Sequence, residues 1–193
     1  KHLSIYSLIL ISALALFAFV PKVSAPTADI SASNVTIKGT SSLHDWEATV
    51  GTTTGSAAIS YSEDGTPVIE GLNIRMDVNS IKSGKKVMDG KIYDAFDAKN
   101  HPAITFKLTN VTSTSQNGNT YVLSSNGVLS MAGASKPVSL KVTATQLDNG
   151  SIRFSGSKKL NMSDFGMEPP TAMLGTLKTG DEVSIDFQVT FAG

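Results

Sequence analysis

The chain has 193 residues, 40% of them hydrophobic, with a formal net charge of zero and no cysteine. That length suits one domain with a real core. The missing cysteines exclude disulfides, thiolate metal sites and a cysteine nucleophile, and the balanced charge provides no basic surface for nucleic acid.

Residues 3–20 are almost wholly apolar, preceded by Lys1 and His2 and followed by Val23, Ser24 and Ala25. This pattern predicts a secretory signal peptide over residues 1–25, and so a periplasmic or secreted protein. An uncleaved N-terminal anchor is the alternative, because the apolar run nears the roughly 18 residues that span a bilayer and Pro26 follows the expected cut. Without Lys1 and Lys22 of the leader the net charge is −2.

From residue 29 onward, strand patterns recur between turn signals. Residues 29–40 alternate through Val35 and Ile37, and residues 46–61 form a longer strand that Gly51 and Gly55 bend. Glu63-Asp64-Gly65 turns the chain into residues 67–78, where Ile74, Met76 and Val78 share one face. Met88, Ile92, Ala95 and Phe96 then fall on one side at 3.6 residues per turn, which predicts a single short helix ended by Pro102. Gly90 costs that helix about 1 kcal/mol against alanine, so its apolar stripe must pack on something, and it is expected to cover a barrel mouth or cavity. Asp89, Asp94 and Asp97 are expected on its solvated face, with Lys82, Lys85 and Lys86 at its solvated start.

A strand follows at 103–114, with Ile104, Phe106 and Leu108 on one side. Asn117-Gly118-Asn119 leads to residues 120–131, and Gly133 and Pro137 punctuate the approach to Val138, Leu140 and Val142. Asp148-Asn149-Gly150 opens a strand at 152–161, and a loop from Ser163 to Gly180 precedes the last strand, where Val183, Ile185, Phe187, Val189 and Phe191 alternate with polar residues. The fold class is therefore all-β and antiparallel, because no repeated helical crossover exists to make a parallel sheet. Eight strands favour a closed barrel over a sandwich, with the helix inserted between strands 3 and 4.

Convergent chemistry is sparse. His44 sits among Ser41, Ser42, Asp45 and Glu47, yet Ser42, His44 and Asp45 on one extended chain point to alternating faces and cannot form a relay. Metal binding there needs a further ligand from elsewhere. His44 reads chiefly as a hydrogen-bonded rim residue and secondarily as a head-group contact. Lys82-Ser83-Gly84-Lys85-Lys86 lacks the earlier glycine and the Ser or Thr of a phosphate loop. The residues thus point to no enzyme and no cofactor. Phe96, Phe106, Phe154, Phe165, Phe187 and Phe191, six methionines and Trp46 instead supply the adaptable apolar surface of a pocket.

Four segments in order, Gly39 to Trp46 (GTSSLHDW), His101 to Phe106 (HPAITF), Leu129 to Val138 (LSMAGASKPV), and Asn161 to Gly166 (NMSDFG) followed by Gly180 to Val183 (GDEV), resemble the YceI family. The resemblance covers residues 29–193. It implies an exported, lipocalin-like barrel whose apolar tunnel takes a polyisoprenoid or another long-tailed lipid, and it maps a histidine near the first strands to His44. On that basis Leu72, Ile74, Met76, Phe106, Leu140, Val142, Phe154, Ile185 and Phe187 are expected wall residues. Met88, Ile92 and Phe96 are the expected cover, and His44 and Trp46 the expected mouth. A membrane surface, touched transiently, and a second copy of the barrel are further candidate partners. The alternative function is an envelope stress or structural protein with a filled interior, using its outer surface to bind partners.

Overall fold

The computed structural model describes residues 25–193, except the side chains of Ala172 and Met173. The expected leader thus lies, apart from Ala25, outside the described residues. One antiparallel sheet contains β1 (Thr27–Ser41), β2 (Trp46–Val50), β3 (Thr53–Tyr61), β4 (Pro67–Asp77), β5 (Ile81–Lys82), β6 (Ala103–Asn117), β7 (Thr120–Met131), β8 (Ala134–Gln146), β9 (Ile152–Asn161), β10 (Thr171–Ala172) and β11 (Leu177–Phe191). Its order is β10-β11-β9-β8-β7-β6-β4-β3-β1-β2-β5, and β11 returns to pair with β1 along nearly its whole length. The sheet closes into a barrel.

Eight staves build the barrel although eleven strands are present. β2 and β3 both pair with β1 in a single continuous register, Trp46 opposite Gly39 and Ala58 opposite Thr27. They are one stave broken at Gly51 and Thr52, whose N–H groups donate to Ser80 O at 3.0 Å and Ser80 Oγ at 2.9 Å instead of to β1. The expected strand over 46–61 is therefore interrupted where glycine was read as a bend. β5 likewise extends β4 past a 3-10 turn at Val78–Ser80 and pairs with β2 as β4 pairs with β3. The helix follows β5, and counted in staves it lies between the third and fourth.

That helix is α1 (Lys86–Ala95), and it stops well before the expected proline. Ala98 N–H donates to Tyr93 O at 2.9 Å and Asp97 N–H to Asp94 O at 3.0 Å, with Asp97 at φ 48°. This is the 6→1 and 5→2 pattern of a Schellman end, with aspartate rather than glycine in the left-handed position. Asn100 Nδ2 donates to both Asp97 carboxylate oxygens, at 3.1 and 2.8 Å, which holds the turn. Pro102 acts later, its carbonyl accepting from Val78 N–H at 2.9 Å where β6 begins.

Two further boundaries differ from expectation. Pro137 lies inside β8, opposite Val128 of β7. β8 meets β9 only from Val142 to Gln146, so at Pro137 its other side is unpaired and a missing N–H is tolerated. β11 starts at Leu177, inside the expected loop, because Thr171 and Ala172 pair back onto Lys178 and Leu177.

One end of the barrel is packed solid. Ala57, Ile59, Tyr121, Leu123, Ala144, Ile152 and Phe191 are buried there with Phe154, whose ring meets Phe191 edge-on at 5.8 Å. Tyr121 Oη and Gln146 Nε2 both donate to Gly65 O at 3.3 Å, tying the β3–β4 turn across that base. At the other end, Ile92, Phe96 and Ala98 join Val50, Val78, Ile81, Met131, Met162 and Phe165 in a second cluster around α1. The 3-10 turn Met162–Phe165 fills the space where β8 and β9 part.

Candidate functional site

Between the packed base and α1 lies a cavity of about 440 Å³, within the range of small-molecule sites. All fourteen residues expected at wall, cover and mouth line it: His44, Trp46, Leu72, Ile74, Met76, Met88, Ile92, Phe96, Phe106, Leu140, Val142, Phe154, Ile185 and Phe187. Many wall residues, Leu72, Ile74, Met76, Phe106, Leu140, Ile185 and Phe187 among them, are only half-buried although they point inward. They face an open lumen.

Glycines keep it open. The Phe106 ring lies over Gly127, the Trp46 indole over its register partner Gly39, and Phe187 Cζ would be 2.7 Å from a Cβ added at Gly156. Each aromatic lies flat against the wall across a strand from a residue with no side chain, a known way to shield strand glycines. Six aromatic side chains line the cavity, and without such shelves they would obstruct it.

Polar lining is confined to one end, with a single exception. Ser125 lies deep in the wall, and its hydroxyl donates to Leu140 O at 3.4 Å. The others are Ser41, His44, Lys85, Lys91, Lys158, Thr171, Lys178 and Thr179, and no carboxylate lines the cavity. None of these four lysines forms an ion pair among the described residues. Alternation alone would have added Leu123, Leu129, Met131 and Val183 to the expected wall. The lysines carry no comparable sequence signal, since exposed lysine is the commonest occupant of any surface.

His44 and its neighbours form a turn, not a relay. Ser41 Oγ donates to His44 O at 2.7 Å and accepts from the N–H groups of Leu43 and His44, while Ser42 Oγ accepts from Lys178 N–H at 3.1 Å. His44 Nδ1 is 2.8 Å from Asp45 O. A carbonyl oxygen only accepts, so Nδ1 is the donor in this contact, which leaves Nε2 free for a partner at the mouth. Trp46 Nε1 donates to Thr40 O at 3.1 Å. Among the described residues no group of three or more His, Asp or Glu is placed to hold a metal ion.

The cover is anchored at both ends. Asp89 was expected on the solvated face but is buried, 8% exposed, because its Oδ1 accepts from Ser83 N–H and Ser83 Oγ, both at 2.7 Å. Those bonds, the backbone one foremost, hold its carboxyl below the ordinary value of 3.8. A carboxyl lowered in the folded state contributes stability that is present above its ordinary pKa and lost as pH falls through the folded value. Acid titration followed by near-ultraviolet circular dichroism is therefore expected to show loss of tertiary signal below about pH 4, and Asp89→Asn should remove that part of the acid dependence. An unchanged profile in the variant contradicts the assignment. One turn along, Tyr93 Oη lies 2.9 Å from Ile81 O and 3.1 Å from Asn79 O and accepts from Lys82 Nζ, fastening α1 to β5.

The family model of the YceI-like domain matches residues 27–191, the whole barrel from its first strand to its last. The chain belongs to the YceI-like family. No curated protein matches the sequence. Among solved structures, the YceI-like barrel is similar to BcnA of Burkholderia cenocepacia, at 23% identity over 82% of this chain and 95% of that one, with a TM-score of 0.63. A polyisoprenoid binding domain from Saccharophagus degradans, implicated in plant cell wall breakdown, aligns at 15% identity over 88% of this chain and 99% of that one, with a TM-score of 0.67. A YCEI protein from Campylobacter jejuni aligns at 21% over 74% and 82%, with a TM-score of 0.56. At these identities the structural likeness establishes the shared barrel.

Proposed function

We propose that this YceI-like protein, once exported to the periplasm or beyond, holds a polyisoprenoid or similar long-tailed amphiphile in its lumen and carries or sequesters it. The observation that carries this reading is the cavity: apolar along its depth, closed at the base and polar at one end. That arrangement matches a molecule with a long tail and one polar head. Each tail CH₂ taken from water contributes about 0.8 kcal/mol, so about fifteen buried carbons provide roughly 12 kcal/mol before ordering costs. Binding therefore requires no catalytic group, and His44 Nε2 is available to hydrogen-bond a head-group hydroxyl. A filled interior, which the structural-protein alternative assumes, is at odds with the open lumen.

Protein purified from its native envelope is expected to release a long-chain lipid into organic solvent and to show the matching mass increment in native mass spectrometry. Ligand-free protein only, with no uptake of added polyprenol, overturns the reading.

A further inference from the structure

We propose that the rim of the cavity docks on an anionic lipid bilayer, so that cargo passes between bilayer and lumen without crossing water. This rests on the lipid-binding reading and adds a surface to it. The three most exposed large apolar side chains among the described residues are Leu174, fully exposed, Val87 at 79% and Leu43 at 67%. They come from three separate segments, and all three surround the same opening. Leu43 precedes the mouth residue His44, Val87 itself lines the cavity from the first turn of α1, and Leu174 lies between the lining residues Thr171 and Leu177. Ser42 N–H donates to Lys178 O at 2.9 Å and Thr179 N–H to Pro170 O at 3.0 Å, which brings the first and third segments together.

Isolated apolar residues on a surface need no explanation, but a ring of them around an apolar opening, set among lysines, is the composition of an interfacial anchor. Lys85 and Lys86 precede Val87, Lys91 is one turn on, and Lys178 adjoins the Leu174 loop. The nearby acids Asp45, Asp89, Asp164, Glu168 and Asp181 keep their charge, Asp89 and Asp181 held ionised by Ser83 and Ser163, so the attraction comes from placement: lysines line the opening and no carboxylate does. Lysines near an anionic leaflet are attracted to it, while the apolar side chains enter the headgroup boundary. No described helix is long and apolar enough to cross a membrane, so contact through this rim would be peripheral.

The absence of cysteine makes the test clean. Full-length Leu43→Cys, Leu174→Cys and, at the packed end, Val68→Cys are each labelled with a polarity-sensitive fluorophore and mixed with vesicles of phosphatidylglycerol and phosphatidylethanolamine, or of phosphatidylcholine alone. The two rim labels are expected to brighten on anionic vesicles and the Val68→Cys label to stay unchanged. Adding Lys85→Gln and Lys86→Gln should weaken partitioning roughly thirty-fold. Equal responses at all three sites, or none on anionic vesicles, overturn the proposal, as does a rim response only to proteins of the envelope. Leu43→Ser with Leu174→Ser leaves the lining intact, so loading from detergent-delivered polyprenol should persist while uptake from vesicles slows. If polyprenol is never taken up yet the rim docks, the lipid-carrier reading fails and the docking surface stands.

Discussion

Phe191→Ala is expected to destabilise the protein by about 3–5 kcal/mol, whereas Ile74→Ala is expected to cost about 1 kcal/mol. Both are apolar residues with inward strand parity, and sequence alternation treats them alike. Phe191 is completely buried where the cavity meets the packed base and touches Phe154 edge-on, so truncation removes a floor that many close-packed neighbours rest on. Ile74 lines the lumen and is half-buried already, so truncation only widens an existing space. In a domain of this size the first change corresponds to a fall in melting temperature of about 6–20 °C. Thermal unfolding of the two variants side by side checks the division of the barrel into base and lumen. Equal losses would mean the lumen is as tightly packed as the base.

The second large effect concerns the glycines beneath the aromatic rings. In Gly156→Ala the new methyl meets Phe187 Cζ at 2.7 Å and the Lys141 carbonyl at 3.1 Å. The ring is the part free to move, and the space beyond it is the cavity, so Phe187 is expected to swing inward. Gly127→Ala meets the Phe106 ring and also the Lys107 carbonyl at 2.7 Å, which is backbone and cannot step aside. Overpacking of this kind costs about 1–3 kcal/mol, and Gly127→Ala is expected at the upper end. Gly156→Ala should instead keep most of its stability and lose capacity for long tails by several fold, read by native mass spectrometry against polyprenols of graded length. Unchanged capacity, with Phe187 still against the wall, would show that these glycines do not hold the lumen open.

Alternation made the barrel legible because each strand has one wet face and one dry face. Val183 to Phe191 and Ile104 to Leu108 show it plainly, and the 3.6-residue spacing of Met88, Ile92 and Phe96 marked the cover in the same way. The features that escaped depend on partners distant in sequence. Nothing around Gly51 announces that Ser80 takes its N–H, and nothing around Pro137 shows that β9 has already left β8. Asp89 looks like any surface acid until Ser83 folds back on it. The end of α1 was missed for a local reason: the left-handed position is occupied by Asp97, whereas glycine is the usual signal.

The anchoring of α1 bears on how quickly cargo exchanges. With Asp89 fixed to Ser83, Tyr93 to β5 and a Schellman turn at its far end, the helix is a doorframe rather than a door. What stands in the opening includes Lys85 and Lys178, which form no ion pair among the described residues, and exposed side chains change rotamer in picoseconds to nanoseconds. On the proposed carrier function, the slow step in transfer then belongs to the tail leaving its neighbours, not to the protein making way.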